Sequence, residues 1–381
     1  MAQKEMNKQK RILIVVNSDW FFLSHRLPIA IEAKKQGFDV HISSRDNGLA
    51  GEIESYGFTF HELPISCSGT NPIEELLAAK HFVTFYKKIK PDLVHHVTLK
   101  PVVYGSLAAR ILNIPTLNAL SGMGYVFTSH GGKLLPFIIK NIIKLGWKPG
   151  LTHVIFQNPD DRKQVEDLGL LKNIPTTLIK GSGVDLEEFS FSELPLNSHP
   201  KRVVLPARLL FDKGIREFKE AAVLLKEKWQ GKVIFQLAGD TDFGNRTSIT
   251  EEELKTWEDP GYFEWIGYQK NVVELLKQSY LVVLPSYREG LPKSLIEANA
   301  SGRPIVTTDT VGCRECVIPN YNGLLAKLQD VDDLSRQIDT ILSDEELAIK
   351  MSRNARIFAE QEFSITKVVS KHIELYNKLL S

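Results

Sequence analysis

Phosphate-binding and acid chemistry is densest at 287–306 of the 381-residue chain, which reads YREGLPKSLIEANASGRPIV. The segment follows an apolar run at 280–285 that reads as a strand, and Pro292 stands where a helix would open. A helix N-terminus after a glycine-containing loop presents free backbone N–H groups and partial positive charge, which suits a phosphate. Glu289 precedes that helix and Glu297 lies inside it. A carboxylate at the mouth of a cleft can accept two hydrogen bonds from a ribose diol, although either acid alone is ordinarily a solvated one. A second cluster, PARLLFDKG at 206–214, sets Arg208 and Lys213 five residues apart between a strand and a helix. Such a guanidinium and ammonium can grip a diphosphate and stabilise its negative charge as it leaves. In isolation two cations near a loop are surface charges more often than not.

The elements that would hold these clusters alternate. Continuous β-branched or apolar runs at 11–18, 39–43, 93–97, 116–120 and 152–157 read as buried parallel strands, with helical stretches at 27–36, 76–90 and 102–112. After an interruption at 187–200, rich in Pro, Asn and Ser, alternation resumes: strands at 202–206, 233–238, 280–285 and 305–308, helices at 215–229, 272–278, 294–300 and 332–342. The segment 346–380 is helical in pattern. The fold class expected is α/β: two Rossmann-like doubly wound domains facing each other across a cleft. The expected boundaries are 1–185, a linker at 186–200, a second domain at 201–365, and a C-terminal helix at 366–381 packing back toward the first domain.

Composition removes several classes. Hydrophobic residues make up 43% and charged residues 24%, values of a folded globular chain rather than a disordered one. No run approaches the roughly 20 apolar residues of a membrane span, and the polar start with its short apolar stretch lacks a signal-peptide core. Three cysteines, Cys67, Cys313 and Cys316, cannot build a disulfide framework. The expected compartment is therefore the cytoplasm. The net charge of +1 conceals an uneven distribution: no acid occurs between Asp92 and Asp160, where 46 acids in 381 residues would place about eight. Within that window Lys133, Lys140, Lys144 and Lys148 belong to KLLPFIIKNIIKLGWK, the last three forming one stripe of a helix. The stripe suits an anionic membrane surface, and equally the solvated edge of a buried helix. Lacking arginine and aromatic interleaving, it does not suit a nucleic acid.

Taken together, Arg208-x4-Lys213 after a strand, Glu289-x7-Glu297 some 80 residues later, GSGVDLEEF at 181–189, SGRPIV at 301–306 and YNGLL at 321–325 resemble the retaining glycosyltransferases of family four (GT4), which have the GT-B fold. The resemblance covers nearly the whole chain. It implies transfer of a sugar from a nucleotide-sugar, a UDP-sugar as co-substrate, with retention at the anomeric carbon. By the same resemblance Glu297 binds the ribose, while Glu289 and the backbone of Gly290, Leu291 and Lys293 hold the donor sugar and phosphate. Arg208 and Lys213 bind the diphosphate in place of a metal, so no metal or other cofactor is expected. Many members carry a donor-contacting histidine after the strand ending at Leu120; this chain has Ser121 at that place, with His130 out of register.

A narrower resemblance rests on NSDWFFLSHRLPIA (17–30), KPVVYGSLAAR (100–110) and SGMGYVF (121–127). It is to the bacterial PglA-type N-acetylgalactosaminyltransferases, which extend a sugar on undecaprenyl diphosphate. That implies an acceptor at the inner face of the cytoplasmic membrane, peripheral attachment through the basic stretch, and a donor such as UDP-GalNAc. His25 and Arg26 are then candidates for the acceptor diphosphate, with Trp20 and Lys100 beside them. Asp240-Thr241-Asp242 reads as a turn rather than a metal site, and Cys313-x-x-Cys316 lacks a second ligand pair. The rival functions are a UDP-sugar 2-epimerase of the same fold, which would need acids and bases converging on the donor sugar, and a catalytically inactive nucleotide-sugar-binding scaffold.

Overall fold

A computed structural model of the chain describes residues 9–63, 72–120, 134–242, 245 and 247–381, with backbone only at 72–79 and 134–135. The chain divides into two compact units, Met1–Ser182 with Thr366–Ser381, and Gly183–Ile365.

The first unit is built on seven strands, β1 (Arg11–Ser18), β2 (Asp39–Arg45), β3 (Thr59–Glu62), β4 (Leu93–Val97), β5 (Thr116–Leu120), β6 (Thr152–Phe156) and β7 (Thr176–Leu178). Their order is β3-β2-β1-β4-β5-β6-β7, every pair parallel. Both faces are covered, which explains why β1 is apolar without a break from Ile12 to Val16. Leu13 and Val15 enter one core cluster, and Ile12, Ile14 and Val16 enter the other. The helix Ile365–Leu380 supplies Val368, Ile373, Leu375 and Tyr376 to the second cluster.

The second unit carries β8 (Lys201–Pro206), β9 (Val233–Ala238), β10 (Phe263–Trp265), β11 (Leu281–Leu284), β12 (Ile305–Thr308) and β13 (Gly323–Ala326). The order is β10-β9-β8-β11-β12-β13, again all parallel. In both sheets the order reverses at one place, between β1 and β4 and between β8 and β11. Loops leaving the carboxyl ends of strands diverge there, the usual ligand position in open α/β sheets.

Three details differ from the sequence reading. The residues 186–200 are not a bare connector: Phe189 and Leu194 are buried in the second core, and Arg303, fully buried, donates to the Ser192 and Glu193 carbonyls. The segment 346–380 is two helices, Glu345–Glu362 and Ile365–Leu380. They separate at Ser364, which forms a parallel bridge with Val184, the Val184 N–H donating to Phe363 O and the Ile365 N–H to Val184 O. The helix expected at 102–112 begins as a π-helix, Pro101–Gly105, and becomes α-helical only over Ser106–Ile111.

Candidate active site

The switch point of the second sheet brings together the two clusters singled out by their chemistry. After β8 the chain passes Arg208 and a short 3-10 turn, Phe211–Lys213, before the helix Ile215–Trp229. Gly214 joins turn to helix at φ +74, and a Cβ there would lie 2.2 Å from Pro285 O, so the loop after β8 is pressed onto the loop after β11. The Tyr287 N–H stitches them by donating to Asp212 O at 2.9 Å, and Ser286 Oγ lies 3.1 Å from the same oxygen. Tyr287 Oη also donates to Glu217 on the following helix, at 2.5 Å.

Across this seam Lys213 Nζ meets Glu289 Oε1 at 2.5 Å, and Ser286 Oγ donates to that oxygen at 2.8 Å. Both partners of the ion pair are largely withdrawn from water, which strengthens the attraction and fixes the geometry. The Glu289 N–H donates to Val311 O, and Gly312, at φ +80, stacks its Cα against the same turn. A Cβ on Gly312 would stand 2.4 Å from Glu289 O and 2.7 Å from Gly290 O. Gly312→Ala therefore combines an unfavourable φ with a backbone clash, and we expect a stability loss above ~1 kcal/mol together with a raised KM for donor. Thermal melts and initial rates at varied UDP-sugar check it; an unchanged KM would detach Gly312 from the donor turn.

The helix Lys293–Ala300 follows, with Pro292 as N-cap and no side chain capping its first amides. The Leu295 and Ile296 N–H groups turn back to Pro292 O, and the positive end of the helix dipole lies beside the Glu289–Gly290 turn. Glu297 sits on this helix almost fully buried, with Lys293 Nζ 3.3 Å from its Oε1 one turn back. Burial pushes the Glu297 carboxyl above its usual range, and Lys293 opposes that shift. Leu291 is buried and Gly290 half-buried between the two acids.

Arg208 differs from the other four charged residues. Its side chain is 60% exposed, and its guanidinium donates to Asp242 Oδ2 at 2.8 Å. Asp242 is thus engaged by Arg208, while Asp240 accepts from the Tyr268 N–H, so the D-x-D carboxylates serve the protein itself. Among the described residues no group of three or more His, Cys, Asp or Glu could hold a metal. Cys313 and Cys316 are both buried and outside any disulfide, and burial, with Glu289 nearby, pushes the Cys313 thiol up to about 11.

The residues assigned to the first unit are placed less uniformly. Trp20, directly after β1, is 51% exposed, whereas Phe22 is core. Asp19 anchors this turn, accepting from the N–H groups of Trp20, Asn47 and Leu49. His25 is half-buried, stacked on Phe21 with ring centroids 4.3 Å apart, and its Nδ1 lies 2.6 Å from Ser24 Oγ. Lys100, half-buried, follows β4 at the same switch point as Trp20. Arg26 is the exception: it is 2% exposed and donates to His25 O, and burial brings its guanidinium down to about 10. It lies inside the fold rather than at a surface where an acceptor could meet it. His95 and His96 are core residues, paired with Tyr376 Oη and with Tyr86 Oη and Asn118 Oδ1. Ser121 and Lys133, like Cys67 and His130, lie outside the described residues. Lys140 is half-buried, and Lys144 and Lys148 are exposed on the helix Leu134–Gly146 and just beyond it.

Two parallel Rossmann-like sheets, with the Lys213–Glu289 ion pair and the buried Glu297 beside the switch point of the second, are the architecture of a nucleotide-sugar-dependent glycosyltransferase of GT-B fold. The Glycosyl transferases group 1 family matches residues 187–358, and the Glycosyl transferase 4-like family matches 11–158. The chain is 31% identical to the N,N'-diacetylbacillosaminyl-diphospho-undecaprenol alpha-1,3-N-acetylgalactosaminyltransferase of Campylobacter jejuni, over 94% of this chain and 98% of that one. It is 25% identical to an Escherichia coli UDP-Gal:alpha-D-GlcNAc-diphosphoundecaprenol alpha-1,3-galactosyltransferase, over 89% of each. In fold it is similar to Anabaena HepE, solved in complex with UDP and glucose, at a TM-score of 0.78 and 18% identity, covering 97% of this chain and all of that one. The chain belongs to this glycosyltransferase family.

Proposed function

We propose that the protein moves an N-acetylhexosamine such as GalNAc from its UDP-sugar to an undecaprenyl-diphosphate-linked saccharide, with retention, in the assembly of a bacterial surface or protein glycan. The observation that carries the reading is the Lys213–Glu289 pair at 2.5 Å, with the buried Glu297 on the adjoining helix, at a strand-order reversal. The acceptor class rests on the Campylobacter and Escherichia relatives, both named for undecaprenyl-diphosphate acceptors.

In this reading Glu297 accepts from the ribose diol. The N-terminus of the helix Lys293–Ala300, with its partial positive charge, and the backbone at Gly290 and Leu291 receive the phosphates and donor sugar. Glu289, held by Lys213 and Ser286, accepts from sugar hydroxyls. Arg208 and Lys213 carry the charge of the departing UDP, the role a divalent cation would otherwise fill. The acceptor oxygen forms a bond to the anomeric carbon as the bond from that carbon to the diphosphate oxygen breaks. The acceptor's proton leaves with the diphosphate. Trp20, His25 and Lys100, around the switch point of the first sheet, are the acceptor-side contacts. No helix among the described residues is long and apolar enough to cross a membrane, and we assign the protein to the inner face of the cytoplasmic membrane as a peripheral component.

Purified protein incubated with a panel of UDP-sugars, with and without undecaprenyl-diphosphate-linked monosaccharides, tests this by mass spectrometry. The expected result is a gain of one N-acetylhexosamine on the lipid. A new UDP-sugar isomer formed without acceptor would establish an epimerase instead.

A further inference from the structure

Six non-glycine residues have positive φ among the described residues: Lys90, Thr98, Asn113, Asn173, Asn320 and Gln329. Only Thr98 is β-branched, and its angle, +71, is the largest of the six. A branched Cβ crowds the neighbouring peptide in that region, so the surroundings impose the conformation rather than the residue choosing it. A second cost falls on the same side chain. Thr98 Oγ1 is enclosed and has no hydrogen-bond partner among the described residues. Thr98 is the first residue after β4, a strand flanking the order reversal of the first sheet, so both costs fall where open α/β sheets take their ligands.

The surroundings that hold it can be named. The Thr98 carbonyl accepts from the Val102 N–H at 3.2 Å, which ties the left-handed residue to the π-helix Pro101–Gly105. All five residues of that helix are buried. Its last residue, Gly105, abuts a polar network, and a Cβ there would stand 2.6 Å from His96 Cδ2 and 2.7 Å from Tyr86 Oη. Asn118 Oδ1 accepts from His96 Nδ1 at 2.8 Å and from Ser106 Oγ at 3.1 Å. His96 Nε2 is left to accept from Tyr86 Oη at 2.7 Å. None of these four side chains is more than 1% exposed. Between the strained residue and the π-helix stands Lys100, half-buried and back in the right-handed region at φ −63 and ψ −49. Its backbone is thus fixed from both sides.

We propose that Thr98 is a positioning residue for the acceptor: its left-handed turn, braced by the π-helix and the network behind it, presents the Lys100 ammonium to the acceptor's diphosphate. The inference rests on the reading of the acceptor as a prenyl-diphosphate saccharide. A lysine is a point charge on a flexible stem, and a backbone fixed beforehand removes part of the ordering that binding would otherwise require. A half-buried ammonium also attracts a diphosphate more strongly than one in open water. Glycine at 98 would relieve the strain and, by the same freedom, loosen the aim of the lysine.

Binding of a water-soluble short-chain prenyl-diphosphate saccharide, measured by calorimetry without donor, tests this, with melting curves and UDP binding alongside. Thr98→Gly should raise the melting temperature by roughly 2–4 °C, since relief of the strained φ and of the enclosed hydroxyl outweighs the entropy glycine adds to the unfolded chain. The same variant should bind the acceptor about tenfold more weakly while binding UDP as the parent does. Thr98→Asn, whose side chain tolerates the left-handed region, should recover most of the acceptor affinity. Lys100→Gln should weaken acceptor binding about 10- to 100-fold. Adding Thr98→Gly to it should weaken binding little further, because the turn acts through the ammonium. A Gly variant that melts below the parent, or that binds acceptor equally well, overturns the proposal, as do losses from the two substitutions that simply add. A parent that binds no prenyl-diphosphate saccharide removes both this inference and the acceptor reading beneath it. One that binds the acceptor yet transfers no sugar to it counts against the proposed function and leaves the turn standing.

Discussion

Arg208→Ala is expected to lower the rate of sugar transfer by roughly 10²- to 10³-fold, the effect of removing one preorganised group from a developing negative charge. The departing UDP gains charge on its diphosphate as the glycosidic bond breaks, and a guanidinium meets that charge with two parallel N–H bonds. The proposed role does not require Arg208 to hold the fold together: its side chain is 60% exposed, and it pairs with Asp242. An exposed pair of that kind is worth little to stability, so melting should move little. Because only transition-state binding is lost, kcat should fall much further than KM rises. Arg208→Lys restores charge without the fork and should recover a part of the rate only. Asp242→Ala, which frees the guanidinium, should cost far less than losing it. Lys213→Ala should act differently, since it also strips Glu289 of its partner at 2.5 Å; both kcat and donor KM should suffer. If Arg208→Ala kept transfer within a few-fold of the parent, the leaving-group role would be wrong.

Three of the residues that carry this argument were legible as types and spacings because each is polar in a place where a strand ends. Arg208 and Lys213 follow the apolar run of β8, and Glu289 that of β11. What spacing could not show is how the loops are held together. Ser286, Asp212 and Gly312 act through a hydroxyl, a carbonyl and a missing Cβ, none of which leaves a pattern in a single sequence. Arg26 shows the opposite failure: next to His25 after a strand it reads as a surface cation, but it is buried, close enough to Tyr376 and His372 of the C-terminal helix, more than 330 residues away, to interact with them electrostatically. The same distance effect hides β3, β7, β10 and β13. Each has only three or four residues and owes its strand conformation to the neighbour it pairs with. The long buried strands, and the helices with a clear 3.6-residue period, needed no such help.

Glu297→Gln should separate folding from function in opposite directions. Burial raises the Glu297 carboxyl above its usual range, so in the unliganded fold the ionised form is disfavoured relative to the unfolded chain. A group of this kind contributes its stability fully below the ordinary carboxylate value. It loses that contribution as pH rises through the raised folded value. At neutral pH the Gln variant, which has no charge to bury, should therefore melt above the parent, and the gap should close on acidification toward pH 5. Lys293, the partner at 3.3 Å, is partly exposed and can turn its ammonium to water, so its loss of a partner should offset little. UDP should reverse the order. Only an ionised carboxylate can accept from both ribose hydroxyls through oxygens, and hydrogen bonds to a charged acceptor are worth about 1.5–3 kcal/mol each. With one good acceptor left, the Gln variant should bind UDP about 10- to 100-fold more weakly, and saturating UDP should then raise the parent's melting temperature more than the variant's. Melts of both proteins between pH 5 and 8, with and without UDP, read out both effects. A variant that melts higher yet binds UDP as the parent does would place the ribose elsewhere. One that melts lower at neutral pH would mean that Lys293 and the helix amides already compensate the buried charge in the empty site.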